Sequence, residues 1–187
     1  MRWVAFDVET PNFRNDRICS MGISIFEEGK LKESRHYLVD PETDFDYGNI
    51  RIHGIRPEDV EGEPTFPELW QLTGPVLHSG IVVAHNAAFD LGVLKKLFAR
   101  YDIREESVPY VCTCRMTRKI LPELPDHKLS TLCRAFGIPL DHHNACSDSR
   151  ASGEILRILT EKGYPLEPHL RTYVFSQDCR GQRKGSW

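Results

Sequence analysis

The feature of the sequence that most constrains the fold is a short, mostly apolar run over residues 3–8, which leads into Asp7-Val8-Glu9-Thr10. Its length and composition predict a buried β-strand. Side chains two positions apart lie on the same face of a strand, so Asp7 and Glu9 project together from its end. Paired carboxylates repel each other and resist ionisation unless a cation lies between them. Acidic residues are also common where a strand reaches solvent, so the pair alone does not establish a site.

The order of predicted elements indicates the fold class. Strands are predicted at residues 3–8, 18–26, 31–39, 81–84 and 108–111, and helices at 64–77, 87–101, 113–121, 129–136 and from 147 or 148 to about 163. The tight turn at residues 27–30 pairs the second and third strands in a hairpin. Residues 40–56 indicate a long irregular connection, and Asn86 is expected to cap the second helix. Strands first, then strands alternating with helices, predict an α/β fold with a mixed sheet and helices on both faces.

The length of 187 residues predicts one domain with a core of its own. We place this domain at residues 1–165. Residues 166–187 lose apolar periodicity towards the end, where Arg171, Arg180, Arg183 and Lys184 outnumber Asp178. A flexible, mildly basic tail is therefore expected.

Two further acidic residues lie on the apolar faces of predicted helices. Asp90 shares its face with Leu94, Leu97 and Phe98, and Asp148 shares its face with Ala151, Ile155 and Leu159. An isolated buried charge costs several kcal/mol, so each carboxylate needs a partner. A salt bridge, the helix N-terminus or an N-cap role could provide one.

The acidic residues together indicate a metal site more strongly than any one of them. Asp7, Glu9, Asp90 and Asp148 form a set without a basic residue in their motifs. Such a set favours hard cations such as Mg²⁺ or Mn²⁺, and two ions of this kind support phosphoryl-transfer chemistry. His143, five residues before Asp148, adds a group that can carry a proton near neutral pH. A lone loop histidine is otherwise a surface residue.

The remaining composition gives weaker evidence. The formal net charge of −3 argues mildly against a nucleic-acid binder. Clustered carboxylates make the net charge more negative, however, and bound divalent cations would compensate this negative charge. Cys112, Cys114, Cys133 and Cys146 could be imagined as a zinc site, but their spacing is not a standard one. No signal peptide or membrane span is recognised, so a cytoplasmic protein with reduced thiols and no membrane partner is expected.

Four motifs resemble those of the DEDDh 3′→5′ exonucleases, and especially the epsilon (proofreading) subunits of bacterial DNA polymerase III. The matching segments are Phe6-Asp7-Val8-Glu9-Thr10, Ile52-His53-Gly54-Ile55, Val83-Ala84-His85-Asn86-Ala87-Ala88-Phe89-Asp90 and His143-Asn144-Ala145-Cys146-Ser147-Asp148. The resemblance spans about residues 1–162. The histidine five residues before the last aspartate matches the "h" subclass.

This resemblance implies a ribonuclease H-like fold whose first three strands form an antiparallel meander. It implies that Asp7, Glu9, Asp90 and Asp148 hold two divalent cations, Mg²⁺ or Mn²⁺, and that His143 accepts a proton from the attacking water. Substrate contacts are expected at Thr10, His53, Ile55, Asn86 and Phe89, although Ile55 and Phe89 could equally belong to the core. Where the family continues its first motif with Thr-Gly, this chain has Pro11-Asn12, which puts the contacts beside the 3′ end in question.

The expected activity is metal-dependent 3′→5′ exonuclease hydrolysis, with DNA favoured over RNA and a setting in proofreading or repair. A polymerase subunit is a possible partner. An RNA-trimming ribonuclease or oligoribonuclease of the same family is the alternative, since no motif determines how the protein contacts the 2′ position of the sugar, which distinguishes RNA from DNA. A non-catalytic nucleic-acid-binding module is a remote alternative, because it predicts loss of at least one catalytic residue and all five are present.

Overall fold

The computed structural model describes residues 1–176. In this part of the chain the strands are β1 (Arg2–Glu9), β2 (Ser20–Glu27), β3 (Lys30–Leu38), β4 (Ile81–Ala84), β5 (Ser107–Cys112) and β6 (Arg171–Val174). The α-helices are α1 (Tyr47–His53), α2 (Phe66–Leu77), α3 (Ala88–Arg100), α4 (Thr113–Ile120), α5 (Leu129–Phe136) and α6 (Ala145–Glu161). No helix in residues 1–176 combines the length and apolar character that crossing a membrane requires.

The strands form one mixed sheet in the order β3-β2-β1-β4-β5-β6. The first three strands are an antiparallel meander, β4 is parallel to β1, β5 is parallel to β4, and β6 is antiparallel to β5. The predicted fold class is therefore confirmed, including its antiparallel first three strands. Because β1 has a neighbour on each side, its end lies in the middle of the sheet rather than at an edge.

Helices cover both faces of the sheet, as predicted. Helices α2 and α3 pack on the face that carries Val4, Phe6 and Val8 of β1. Helices α4, α5 and α6 pack on the opposite face, with Trp3 and Ala5. Strand alternation then directs Asp7 and Glu9 to the side of α6.

Three local predictions are wrong. The connection predicted as irregular contains α1, whose seven residues bury only Asn49 and therefore leave almost no apolar periodicity. Helix α3 follows Ala87 at its N-cap without a side-chain cap, because Asn86 has a positive φ of 65° instead of serving as the cap. Helix α6 begins at Ala145, before the predicted start, because Asn144 is its N-cap and accepts a hydrogen bond from the backbone of Ser147.

The ordered fold extends past residue 165, where the sequence placed the end of the domain. Strand β6 pairs with β5, and Phe175 is buried with its ring centroid 4.9 Å from that of Phe98. Edge strands are often short and polar on their exposed side, so β6 leaves little apolar signal in the sequence. The basic residues Arg180, Arg183 and Lys184 of the expected tail lie outside the described residues.

Candidate active site

The N-terminus of α6 lies directly on β2, and Gly22 makes this contact possible. A Cβ atom at Gly22 would lie 2.0 Å from the carbonyl oxygen of Ala145, which is far inside contact distance. Gly22 is also the β2 partner of Asp7 in the sheet. The missing side chain therefore lets the first turn of α6 bring Asp148 to the acidic end of β1.

Three carboxylates converge at this point. Candidate ligand oxygens of Asp7, Glu9 and Asp148 all lie within 4.8 Å of one another. Asp90 reaches the same end of β1 from α3, where its Oδ1 accepts a hydrogen bond of 3.3 Å from the backbone N–H of Val8. The four acidic residues singled out in the sequence are thus brought together from one strand and two helices.

Burial and mutual repulsion raise the pKa values of these carboxyl groups. Burial raises the pKa of Asp7 well above its usual value, and the nearby charges of Asp90, Glu9 and Asp148 raise it further. Burial, then Asp148 and Asp90, raises the pKa of Glu9 to about 8. Burial raises the pKa of Asp90 to about 7 against two backbone hydrogen bonds. The cluster therefore holds protons or needs cations at neutral pH.

The side chains present fit divalent cations. The cluster lies in a cleft of about 390 Å³, which we call the acidic cleft, and within residues 1–176 no Lys or Arg lines it. Asp148 Oδ1 is buried and has no hydrogen-bond partner there, although an anionic oxygen requires one. Carboxylate oxygens are the donors that Mg²⁺ and Mn²⁺ prefer. Asp7, Glu9, Asp90 and Asp148 are the residues that could hold them.

Two adjacent histidines meet Asp148 in different ways. His142 Nδ1 lies 2.9 Å from Asp148 Oδ2, whereas His143 donates its backbone N–H to the same oxygen at 3.1 Å. The two rings stack with centroids 3.9 Å apart, and both histidines line the cleft. Burial first, and then His142, lowers the pKa of His143, against the opposing effect of Asp148. The spacing of five residues to Asp148 indicated His143, whereas only the adjacency of the two histidines in the sequence hinted at the contact of His142.

Thr10 and His53 form a network at the rim of the cleft. Asn49 donates its side-chain amide to the carbonyl oxygen of Thr10 at 2.8 Å, and His53 Nε2 lies 3.2 Å from the same oxygen. His53 Nδ1 accepts a hydrogen bond of 3.0 Å from the backbone N–H of Ile55, so Nε2 carries the ring proton and donates to Thr10. Asn49 was missed because it lies on the unpredicted helix α1.

The other predicted substrate residues separate into two groups. Asn86 and Phe89 line the acidic cleft, and both are exposed. Ile55 does not line it and instead faces a neighbouring groove. Phe13 and Ile52 also line the acidic cleft, with 69% and 51% of their surface exposed, and no periodicity in the sequence had indicated them.

The unusual Pro11-Asn12 pair turns away from the cleft. Both residues are buried and neither lines it. Asn12 donates its side-chain amide to the carbonyl oxygen of Asp44 at 2.9 Å and accepts the backbone N–H of Arg14 at 3.1 Å. Asn12 therefore holds the loop after β1 in place.

The cysteines do not form the imagined zinc site. In the described part of the chain, the groups of side chains that could hold a metal are His142, His143 and Asp148, and Asp7, Glu9 and Asp148. Cys112, Cys114 and Cys133 are buried free thiols. Burial raises the pKa of Cys133 to about 11, which suits a packed thiol rather than a thiolate ligand.

Known proteins resemble this chain in sequence and in fold. A family model described as "RNase_T: Exonuclease" matches residues 4–156. The chain is 32% identical over 163 residues to PolC-type DNA polymerase III of Clostridium perfringens, and equally so to that of Oceanobacillus iheyensis. Each alignment covers 86% of this chain and 11% of the polymerase, so the chain spans about a tenth of these relatives.

Solved nucleases share the fold. Exonuclease X in complex with 5′ overhanging duplex DNA superposes with a TM-score of 0.72 at 21% identity, over 89% of this chain and 96% of that one. The nuclease domain of 3′hExo, described as a DEDDh family member bound to rAMP, gives 0.70 at 14% identity, over 92% and 94%. The chain belongs to the RNase_T exonuclease family, and the prediction of a metal-dependent exonuclease is confirmed at the level of that family.

Proposed function

We propose that this domain removes nucleoside monophosphates from the 3′ end of DNA with the help of two divalent cations, Mg²⁺ or Mn²⁺. The observation that carries the proposal is the cluster of Asp7, Glu9, Asp90 and Asp148, in which Asp90 and Asp148 are buried and the pKa of Glu9 is raised to about 8. Four clustered carboxylates, two of them buried, in a cleft without Lys or Arg are unfavourable unless cations compensate their charge. Two bound cations would neutralise charge on the attacking and leaving oxygens.

The protein's own groups would supply the remaining steps. His143 lines the cleft and would accept the proton of the attacking water, since its lowered pKa keeps its ring neutral at neutral pH. His142 would hold Asp148 in position through their 2.9 Å contact. A non-catalytic binding module would need none of this arrangement.

The rim of the cleft offers groups for the terminal nucleotide. Thr10, His53, Asn86 and Phe89 would contact it, and the exposed side chains of Phe13 and Ile52 offer apolar surface for bases. Ile55 would act indirectly, because its backbone N–H fixes the orientation of the His53 ring.

DNA is favoured as substrate because the curated relatives are DNA polymerases of the PolC type. We also propose a proofreading or repair setting in the cytoplasm, with a polymerase as partner. RNA is the second candidate, since one structural neighbour is described as recognising a histone mRNA stem-loop, with a TM-score of 0.69.

Matched 5′-labelled strands of DNA and RNA with one sequence test the substrate, alongside a DNA duplex with a mispaired 3′ end. The proposal predicts faster shortening of DNA than of RNA, and faster removal of a mispaired than of a paired terminal nucleotide. Faster hydrolysis of RNA would assign the domain to the ribonuclease alternative. The Asp148→Asn variant is the control for contaminating nucleases.

A further inference from the structure

A second groove, rich in basic side chains, lies beside the acidic cleft. Five basic residues and one acidic residue line it: Arg14, Arg17, Lys95, Lys96, Arg100 and Asp16. We call it the basic groove. Its charge stands against a formal net charge of −3 for the whole chain, so positive charge is concentrated here. A concentration of this kind favours a polyanionic ligand.

The protein leaves most of this charge uncompensated. Within residues 1–176, Arg17 is the one basic residue of the groove with an ion-pair partner, Asp16 at 3.4 Å. Lys95 and Lys96 donate instead to backbone carbonyl oxygens, those of Val174 at 3.3 Å and Arg14 at 3.0 Å. Arg14 and Arg100 are exposed.

Arg17 adds a largely buried positive charge to the wall of the groove. Its side chain is only 7% exposed, and its Nε is buried without a hydrogen-bond partner in the described residues. A buried guanidinium with an unused N–H is costly, since each such donor forfeits its hydration. Because Arg17 lines the groove, an anion bound there would interact favourably with the charge of its guanidinium.

The basic groove and the acidic cleft share the same two structural elements. In the loop after β1, Phe13 and Asn15 line the cleft, whereas Arg14 and Arg17 line the groove. Helix α3 carries Asp90 at the cleft, and its C-terminal half carries Lys96 and Arg100 at the groove. Ten residues of helix from Asp90 to Arg100 span about 15 Å, a length that covers a few nucleotides of a strand.

We propose that the basic groove binds the phosphodiester backbone of the nucleic acid a few nucleotides away from the 3′ end in the acidic cleft. This inference rests on the proposed function, because the strand that enters the cleft must continue somewhere. The groove contacts phosphates rather than bases, so it adds affinity without adding sequence preference.

The test compares two triple variants with the same change in charge. Arg14→Gln/Lys96→Gln/Arg100→Gln removes charge from the groove, and Lys30→Gln/Lys32→Gln/Arg134→Gln removes it from exposed sites elsewhere. Binding to labelled single-stranded DNA of 4 and 12 nucleotides, and to a duplex of the same sequence, is measured in EDTA over a range of salt. Hydrolysis of the p-nitrophenyl ester of thymidine 5′-monophosphate, which is too small to reach the groove, reports on the acidic cleft.

The groove variant should bind the 12-nucleotide strand about tenfold more weakly than the control variant, with a salt slope lower by about 0.7 for each lost contact. The 4-nucleotide strand should be less affected. Equal affinity of the two variants for the 12-nucleotide strand would overturn the proposal. Equal loss on the ester and on the long strand would also overturn it, because the groove would then act through the catalytic site.

Two further outcomes keep the inference separate from the proposed function. The wild type could fail to hydrolyse either substrate while the groove variant still binds DNA more weakly than the control variant. That result would contradict the proposed exonuclease activity and support the proposed binding role of the basic groove. If the triple variant does not fold, Lys96→Gln/Arg100→Gln leaves the hydrogen bonds of the Arg14 side chain intact and should show the same length-dependent loss. If the double variant shows no length-dependent loss of DNA binding, the proposal is overturned.

Discussion

His142 Nδ1 lies 2.9 Å from Asp148 Oδ2, whereas His143, the residue at the motif position, reaches that oxygen only through its backbone. This arrangement leaves the ring of His143 available in the cleft and commits the ring of His142 to Asp148. We therefore propose different tasks for the two adjacent histidines, proton transfer for His143 and positioning of Asp148 for His142.

Substitution of the two histidines should separate these tasks. His143→Ala should lower kcat by about 10²-fold or more, the usual effect of removing a general base. His142→Ala should lower kcat less and weaken stabilisation by Mg²⁺, because Asp148 loses its partner. Steady-state kinetics and thermal unfolding with Mg²⁺ give both values. A larger loss of kcat in His142→Ala than in His143→Ala would reverse the assignment.

The stability of the metal-free protein should fall as pH rises. The folded-state pKa values of Glu9 and Asp90, about 8 and about 7, exceed their ordinary values of 4.5 and 3.8, so the folded state binds more protons than the unfolded state. Stability from this source is complete below the ordinary values and is lost as pH rises through about 7 to 8. In EDTA the Tm should therefore decrease over this range, and Mg²⁺ should reduce the decrease.

Glu9→Gln is the control for this pH dependence. It removes one of the titrating groups, so its Tm in EDTA should change less with pH than that of the wild type. A wild-type Tm in EDTA that rises through neutral pH would contradict the raised pKa values of Glu9 and Asp90.

Gly22→Ala should damage both the fold and the site. The added Cβ would meet the backbone of Ala145, which cannot move without displacing α6, so the free energy of unfolding should drop by about 1–3 kcal/mol or more. Displacement of α6 should also weaken metal binding through Asp148. Gly92→Ala is the matched control, since nothing lies within 4 Å of its added Cβ. Equal, small effects of the two substitutions would exclude the close contact.

The segment after residue 165 should contribute to stability. Phe175 is 5% exposed and packs on Phe98 and Tyr173, so Phe175→Ala should lower the free energy of unfolding by about 3 kcal/mol. Val174→Ala, at a side chain that is 54% exposed, should cost much less. Chemical denaturation of the two variants measures the difference. If Phe175→Ala costs no more than Val174→Ala, the domain ends earlier than the structure indicates.

Local rules were enough to predict the residues of the quartet. The two-residue period of β1 puts Asp7 and Glu9 on one face, and the helical period directs Asp90 and Asp148 inward. Both rules depend only on neighbours along the chain. The inward direction predicted for Asp148 is confirmed by its burial, although α6 begins earlier than expected, because an earlier start does not change the helical face.

The missed features depend on contacts between distant segments. The role of Gly22 requires knowing that α6 crosses β2, and that of Asn49 requires knowing that α1 meets Thr10. His142 is distinguished from His143 only by the loop conformation, in which His143 has a φ of 68°. No periodicity in the sequence carries this information.

The most direct test of the central claim is hydrolysis of 5′-labelled single-stranded DNA, in Mg²⁺ and in EDTA, by the wild type and by Asp7→Asn. The account predicts a ladder of products shortened one nucleotide at a time from the 3′ end, present with wild type in Mg²⁺ and absent in EDTA and with Asp7→Asn. Shortening that persists in EDTA, or with Asp7→Asn at the wild-type rate, would contradict it.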